Sequence, residues 1–203
     1  MPPQSEHELA PARPRRANDL DGRTWQRYSI SIWSDIRKTP EEMRLRHPAM
    51  FPVALVTRLI QCLTTHEDRV IVDPFAGTGA TLVAAELMGR VGIGLEISPA
   101  YCEMARTRPL PTSSPDGAAG PPPAPGERRV YCDDARHMLR YVGPGSVDLC
   151  VTSPPYWDIL LRRRTADGKP VGHYGESTAD LGKIASYPAF LAALGEVFRQ
   201  VFE

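Results

Sequence analysis

Cysteine, aromatic residues and net charge are all scarce in this 203-residue chain, and each scarcity removes a class of function. The four cysteines, Cys62, Cys102, Cys132 and Cys150, form neither a CxxC pair nor a zinc-ligand spacing, so no metal site is expected. Each lies in or beside an apolar run, which predicts buried free thiols in a reducing cytosol. Lys+Arg and Asp+Glu both number 24. No broad basic footprint for nucleic acid therefore exists at whole-chain level, and any such contact must come from a local patch or a missing part. No apolar run is long enough to span a bilayer and none follows Met1 as a signal-peptide core. A cytoplasmic protein without membrane contact is expected.

What the chain has is proline and glycine, in informative places. Residues 1–22 are rich in Pro, Arg and acids and read as a disordered tail, in which Arg13, Arg15 and Arg16 are solvated or touch a phosphate backbone. Residues 23–203 read as one domain. Residues 109–127, dominated by Pro, Ala, Gly and Ser, read as a flexible linker inside it, and 158–186 as a long mobile loop carrying Arg162–Arg164 and Tyr174. Trp25 to Trp33 alternates partially and reads as a strand or extended arm. Thr39-Pro40-Glu41-Glu42 has the cap, proline and acids of a helix start. His47 to Pro52 is extended and proline-bounded, a plain connection when taken alone, and an amphipathic helix then runs to about Thr64.

The organising stretch is Val70-Ile-Val-Asp73-Pro74-Phe75-Ala-Gly77-Thr78-Gly79-Ala-Thr81. A β-branched run ends in an acid, and a small-residue turn opens into an apolar helix: strand, glycine turn, helix, the opening unit of a parallel α/β sheet. Gly77 and Gly79 permit positive φ and, lacking Cβ, let a ligand approach the backbone. The turn has neither a Walker ending nor the third glycine of a dinucleotide fingerprint. Arg90 to Glu96 reads as a second buried strand, and Glu96 stands where doubly wound sheets place a ribose-binding acid. Its plainer reading is a solvated strand-end acid. Ser98-Pro99 starts a helix to about Arg106. Arg128 to Tyr131 resumes the sheet, and Asp134 opens a short helix as its cap or as a ligand-binding acid. Val147 to Thr152 reads as another buried strand, and Pro188 to Val201 as a closing helix.

That last strand ends in Thr152-Ser153-Pro154-Pro155-Tyr156-Trp157. Two prolines cannot continue a ladder, so the carbonyls of Ser153 and Pro154 are left aimed outward. With the Ser153 hydroxyl they can accept hydrogen bonds from an exocyclic amino group and keep its lone pair free for attack. Tyr156 offers a flat face on which a base can stack.

Taken together, His47–Pro52, the Asp-Pro-Phe-Ala-Gly-Thr-Gly turn, Glu96, Asp134 and Ser-Pro-Pro-Tyr-Trp resemble the amino-directed DNA methyltransferases, over about Trp25 to Glu203. The resemblance implies a Rossmann-like α/β methyltransferase sheet, mostly parallel, with helices on both faces. It implies S-adenosylmethionine as cofactor, with Asp73, Pro74, Phe75, Gly77, Thr78 and Gly79 around its methionine end. Glu96 would take the ribose hydroxyls, Asp134 the adenine amino group, and His47 and Pro48 the cofactor-side segment before the first motif. Asp133 stands where the family has glycine. Ser153, Pro154, Pro155 and Tyr156 would be the catalytic tetrapeptide, acting on a base flipped from double-stranded DNA. Serine in first place resembles the cytosine-N4 enzymes more than the adenine-N6 ones. Arg162 to Arg164 contact phosphates or form a solvated loop. The cofactor motif precedes the catalytic one, the reverse of many serine-type members. The family's further strand and β-hairpin are not found before Glu203, so the sheet is expected to be incomplete at its C-terminal edge, with a missing segment or a partner chain completing it. The alternatives are an RNA or protein-amide methyltransferase, and an inactive truncated cofactor-binding fragment.

Overall fold

The computed structural model describes residues 16–45, 47, 50–111, 126–160 and 177–203, the backbone alone at 159 and 160. Pro48, Arg13, Arg15, Arg162, Arg163, Arg164, Tyr174 and most of the expected linker lie outside the described residues. The tail expected over 1–22 is described only from Arg16, and its last residues run against the domain. Asn18 Nδ2 donates to Cys62 O at 3.0 Å.

Among the described residues six α-helices, α1 Gly22–Tyr28, α2 Pro40–Arg44, α3 Val53–Leu63, α4 Ala80–Leu87, α5 Pro99–Thr107 and α6 Tyr187–Phe202, accompany four strands. The strands β1 Val70–Asp73, β2 Val91–Glu96, β3 Glu127–Cys132 and β4 Leu149–Cys150 form one sheet in the order β3-β2-β1-β4, every pair parallel. The α/β architecture read from the sequence is the one observed. Val56, Ile60, Ile71 and Val83 join α3 and α4 to one face. On the other face Val72, Ile93 and Leu95 pack on Met138 and Val142, at the 3-10 helix Ala135–Arg140. Alongside it, α6 buries Phe190, Ala193 and Val197, spaced three and four apart, against Ala135 and Leu181. Gly94 in β2 explains how closely α4 can lie. A Cβ there would stand 2.8 Å from Ala76 Cβ and Leu82 Cδ1.

Three expectations are corrected. Trp25–Trp33 is not a strand or extended arm. Asp21 caps α1 by accepting from Arg23 N and Thr24 N, and the aromatic residues then gather around a cation, with the Arg58 guanidinium 4.4 Å from the Tyr28 ring and 5.4 Å from that of Trp33. The local cap and this cation–π cluster outweigh the weak alternation. The strand expected over Val147–Thr152 is reduced to two half-buried residues, Leu149 and Cys150, as β4 has no strand on its far side among the described residues. Of the four thiols only Cys62 and Cys102 are buried; Cys132, at the end of β3, is exposed.

The helix start at Thr39 is a full capping box: Thr39 Oγ1 accepts from Glu42 N and Glu42 Oε2 accepts from Thr39 N. Within the segment expected as a mobile loop, residues 177–186 include a 3-10 helix, Leu181–Lys183, capped by Asp180. No helix among the described residues is long and apolar enough to cross a membrane.

Candidate active site

The chain runs from β1 outward to β3 and returns to the opposite side of β1 for β4. Ligand crevices in open α/β sheets form at such a reversal, outside the carboxyl ends of the strands. A cleft opens there, lined by the last residues of β1 and β2 and by residues that follow β3 and β4.

Asp73, at the end of β1, is 1% exposed. Its Oδ2 accepts from Thr81 Oγ1 at 2.6 Å, and its Oδ1 accepts from Thr152 Oγ1 at 2.6 Å and Phe75 N at 3.0 Å. Burial pushes its carboxyl above the usual range, against the downward pull of these three bonds. Asp73 thus clamps the start of α4 and the residue before Ser153 to one strand end. The glycine turn and the Ser153–Tyr156 tetrapeptide are thereby tied to the same carboxylate.

The turn itself lines the cleft through Pro74, Phe75, Gly77 and Thr78. Gly77 and Gly79 have φ of 52° and 78°, the region that favours glycine. Their missing Cβ atoms serve protein packing more directly than ligand approach. At Gly77 a Cβ would meet His47 Nε2 at 3.1 Å, and at Gly79 it would meet Ala105 Cβ at 2.9 Å. Gly79 caps α4 and stands outside the cleft lining.

Glu96, at the end of β2, is 8% exposed. It accepts from Gly77 N at 2.9 Å and Ser98 N at 2.8 Å, so it fixes the turn from across the sheet while facing the cleft. Burial raises its carboxyl; the two backbone bonds oppose this, and the charge of Asp73 adds to it. At the end of β3, both Asp133 and Asp134 line the cleft. Asp133 accepts from His137 Nδ1, Tyr141 OH and Asp134 N. The His137 bond leads in holding its carboxyl down at about 2. Asp134 caps the following 3-10 helix through Arg136 N and pairs with the Arg136 guanidinium at 2.6 Å. Burial alone would raise it, but the Arg136 bonds prevail and the net position is below normal. The cap reading of Asp134 is realised, and the residue still faces the cleft.

His47 packs edge-on against Tyr101, ring centroids 4.7 Å apart, and lines the cleft with Met50 and Phe51. Burial first, and the charge of Lys38 second, bring it down to about 4, so it is neutral at neutral pH. From the tetrapeptide, Ser153 and Pro155 line the cleft, whereas Pro154 and Tyr156 do not. Tyr156 is 59% exposed and stands beside it, its hydroxyl 3.3 Å from Ser153 Oγ. Trp157 follows at φ 52°, uncommon for a bulky residue. Its indole N–H donates to Ile184 O at 2.7 Å, and its ring lies 5.0 Å from that of Tyr187.

Sequence reading missed Asp133 as a fully engaged acid, and Asp180 and Leu181 as part of the lining. The only local signal for Asp180 was an acid two residues before a glycine, hidden in a polar stretch. Among the described residues no Lys or Arg side chain lines the cleft, whereas Asp73, Glu96, Asp133, Asp134 and Asp180 do. Such a lining suits a ligand that carries positive charge and an apolar body, the latter against Phe51, Phe75 and Ile97. Among the described residues no group of three His, Cys, Asp or Glu side chains is placed to hold a metal ion.

The sequence matches the DNA methylase family over residues 3–107, just over half of the chain. It is 42% identical over 62 residues to the Type II methyltransferase M.ScaI of Streptomyces caespitosus, covering 30% of this chain and 20% of that one. Against the Type II methyltransferase M2.DpnII of Streptococcus pneumoniae it is 31% identical over 105 residues, 46% of this chain and 39% of the relative. Against the Type II beta methyltransferase M.BslI of Bacillus sp. (strain NEB-606) it is 36% identical over 66 residues, 32% of this chain and 7% of the relative. The chain spans well under half the length of each.

Proposed function

The chain belongs to the DNA methylase family, and from that premise we propose that it transfers a methyl group from S-adenosylmethionine to the exocyclic amino group of a base flipped out of double-stranded DNA, with cytosine N4 as the favoured target. One observation carries the reading: Ser153 and Pro155 share a single cleft with Gly77, Glu96 and Asp134, at the carboxyl ends of adjacent strands.

The acid-lined, partly apolar cleft fits a sulfonium nucleoside, and the neutral state of His47 adds no opposing charge to it. Pro74, Phe75, Gly77, Thr78 and His47 would hold the methionine end, Glu96 the ribose hydroxyls and Asp134 the adenine amino group. When bound, S-adenosylmethionine supplies an electrophilic methyl group. The protein's part is positioning. Ser153 Oγ and the Pro154 carbonyl accept the two N–H bonds of the target amino group, which keeps the nitrogen lone pair directed at the electrophile. Tyr156, exposed as it is, presents a ring face to a flipped base. The Asp73–Thr152 bond ties this carbonyl platform to the turn that holds the methionine end. The leaving group is neutral and the proton departs to water after attack, so no strong base is needed.

The serine in first place of the tetrapeptide supports cytosine N4, through the resemblance described above; adenine N6 is the other base with a suitable amino group. The test is radiolabelled methyl transfer by the 203-residue chain to mixed-sequence double-stranded DNA, with RNA and protein offered in parallel, followed by nucleoside and amino-acid analysis. Label in N4-methylcytosine is expected. Label in N6-methyladenine would replace the base assignment. Label only in RNA or protein would overturn the substrate class, and saturable cofactor binding without transfer to any of them would mark a cofactor-binding fragment.

A further inference from the structure

The acids of the cleft differ in how far the protein itself satisfies them. Asp73 takes three donors, Asp133 is held by His137, Tyr141 and Asp134 N, Asp134 is paired with Arg136, and each Glu96 oxygen has a backbone N–H. Asp180 is different. It is 6% exposed, yet it accepts a single hydrogen bond, from Gly182 N to Oδ1 at 2.8 Å. Its Oδ2 has no donor among the described residues, and the neighbouring cation Lys183 donates to Ser177 O at 3.1 Å. Leu181, buried with Ala135 and Phe190, fixes the segment in place. Asp180 lines the cleft, so a carboxylate oxygen without a protein donor is open there to a ligand, and an N–H-bearing cation is the partner that binds it most strongly.

We propose that Asp180 binds the ammonium group at the aminoacyl end of the cofactor, an inference that rests on the cofactor reading above. A sulfonium carries no N–H and cannot complete the Oδ2 hydrogen bond. The amino group of the target base is neutral and has its acceptors at Ser153 and Pro154. The ammonium has both the charge and the donors that the site lacks.

The test is calorimetric titration of the full chain, without DNA, comparing wild type with Asp180→Asn. Asparagine keeps Oδ1 for Gly182 N–H and nearly the same volume; matched thermal unfolding verifies the fold. Three probes are used: S-adenosylmethionine, S-adenosylhomocysteine, and 5′-methylthioadenosine, which lacks the aminoacyl end. The expected result is a loss of about tenfold or more in affinity for the first two, with 5′-methylthioadenosine unchanged. An equal loss for all three would reduce Asp180 to a structural cap. A loss for S-adenosylmethionine alone would assign it to the sulfonium, and unchanged binding of all three would exclude the contact. Each of these overturns the proposal while leaving the cofactor reading intact. A wild-type chain that binds none of the probes would remove the cofactor reading itself.

Discussion

Replacing Arg108 with methionine separates packing from charge at the support of the cleft. Arg108 follows α5, and its Nη2 lies 3.0 Å from Glu42 Oε1, the two side chains being 6% and 5% exposed. Its Nη1 donates to Thr78 O at 3.2 Å, in the glycine turn. Glu42 also receives Val53 N at 2.7 Å and Thr39 N at 2.9 Å, so one buried pair joins α2, the start of α3 and the turn. At that separation the Coulomb attraction is about 5 kcal/mol with an effective dielectric constant near 20. Desolvation of both ions offsets much of this, whereas removing one partner strands the other. Such losses run about 3–5 kcal/mol, and because two backbone N–H groups still face Glu42 the lower end, about 3 kcal/mol, is expected. Urea unfolding of wild type, Arg108→Met, Glu42→Gln and the double variant measures it. The double variant should be less destabilised than the sum of the two single changes, since the stranded charge is gone. A cost below about 1 kcal/mol for Arg108→Met, or strict additivity, would refute the reasoning.

Three further outcomes are expected. His47 is held at about 4 against an ordinary 6.5, so below pH 6.5 the unfolded chain binds a proton that the folded chain refuses. Its contribution is complete above pH 6.5 and is lost as pH falls toward 4. The span is about 2–3 kcal/mol after discounting for the partly exposed ring, and stability curves of His47→Phe should be flatter across that window. Thr152→Val removes one short bond to Asp73, and a destabilisation of about 1–2 kcal/mol is expected. Because the bond carries the tetrapeptide, initial rates should show kcat falling further than cofactor affinity; the reverse would detach Thr152 from the transfer platform. Tyr156→Phe retains the ring and should keep most methyl transfer, while Tyr156→Ala should lose about tenfold or more, given that base–aromatic stacking contributes about 1–3 kcal/mol. Equal rates for all three proteins would rule out stacking.

The architecture was legible where a local rule had few competitors. The β-branched run before Asp73, the glycines after it and the capping box at Thr39 each permit one conformation, and the sheet and α2 follow. Glu96 and Asp134 were found from their strand-end positions and do face the cleft. Long-range pairs were not legible. Nothing local links Glu42 to Arg108, 66 residues away, or Asp73 to Thr152, 79 away. Periodicity also failed at Trp25–Trp33, where a cap and an arginine between two rings decide the conformation. Asp180 escaped notice because a cap inside a polar stretch looks solvated until the apolar residues beside it are seen to be buried. The glycines were identified correctly in kind but for a partial reason, since His47 and Ala105 occupy the space their side chains would need.

The most direct measurement is calorimetric titration of the 203-residue chain with S-adenosylmethionine, alongside Glu96→Ala. Saturable binding at one site per chain, strongly weakened in a variant whose unfolding remains cooperative, is the expected result. No binding by a folded wild type, or equal binding by both proteins, would contradict the placement of the cofactor in this cleft.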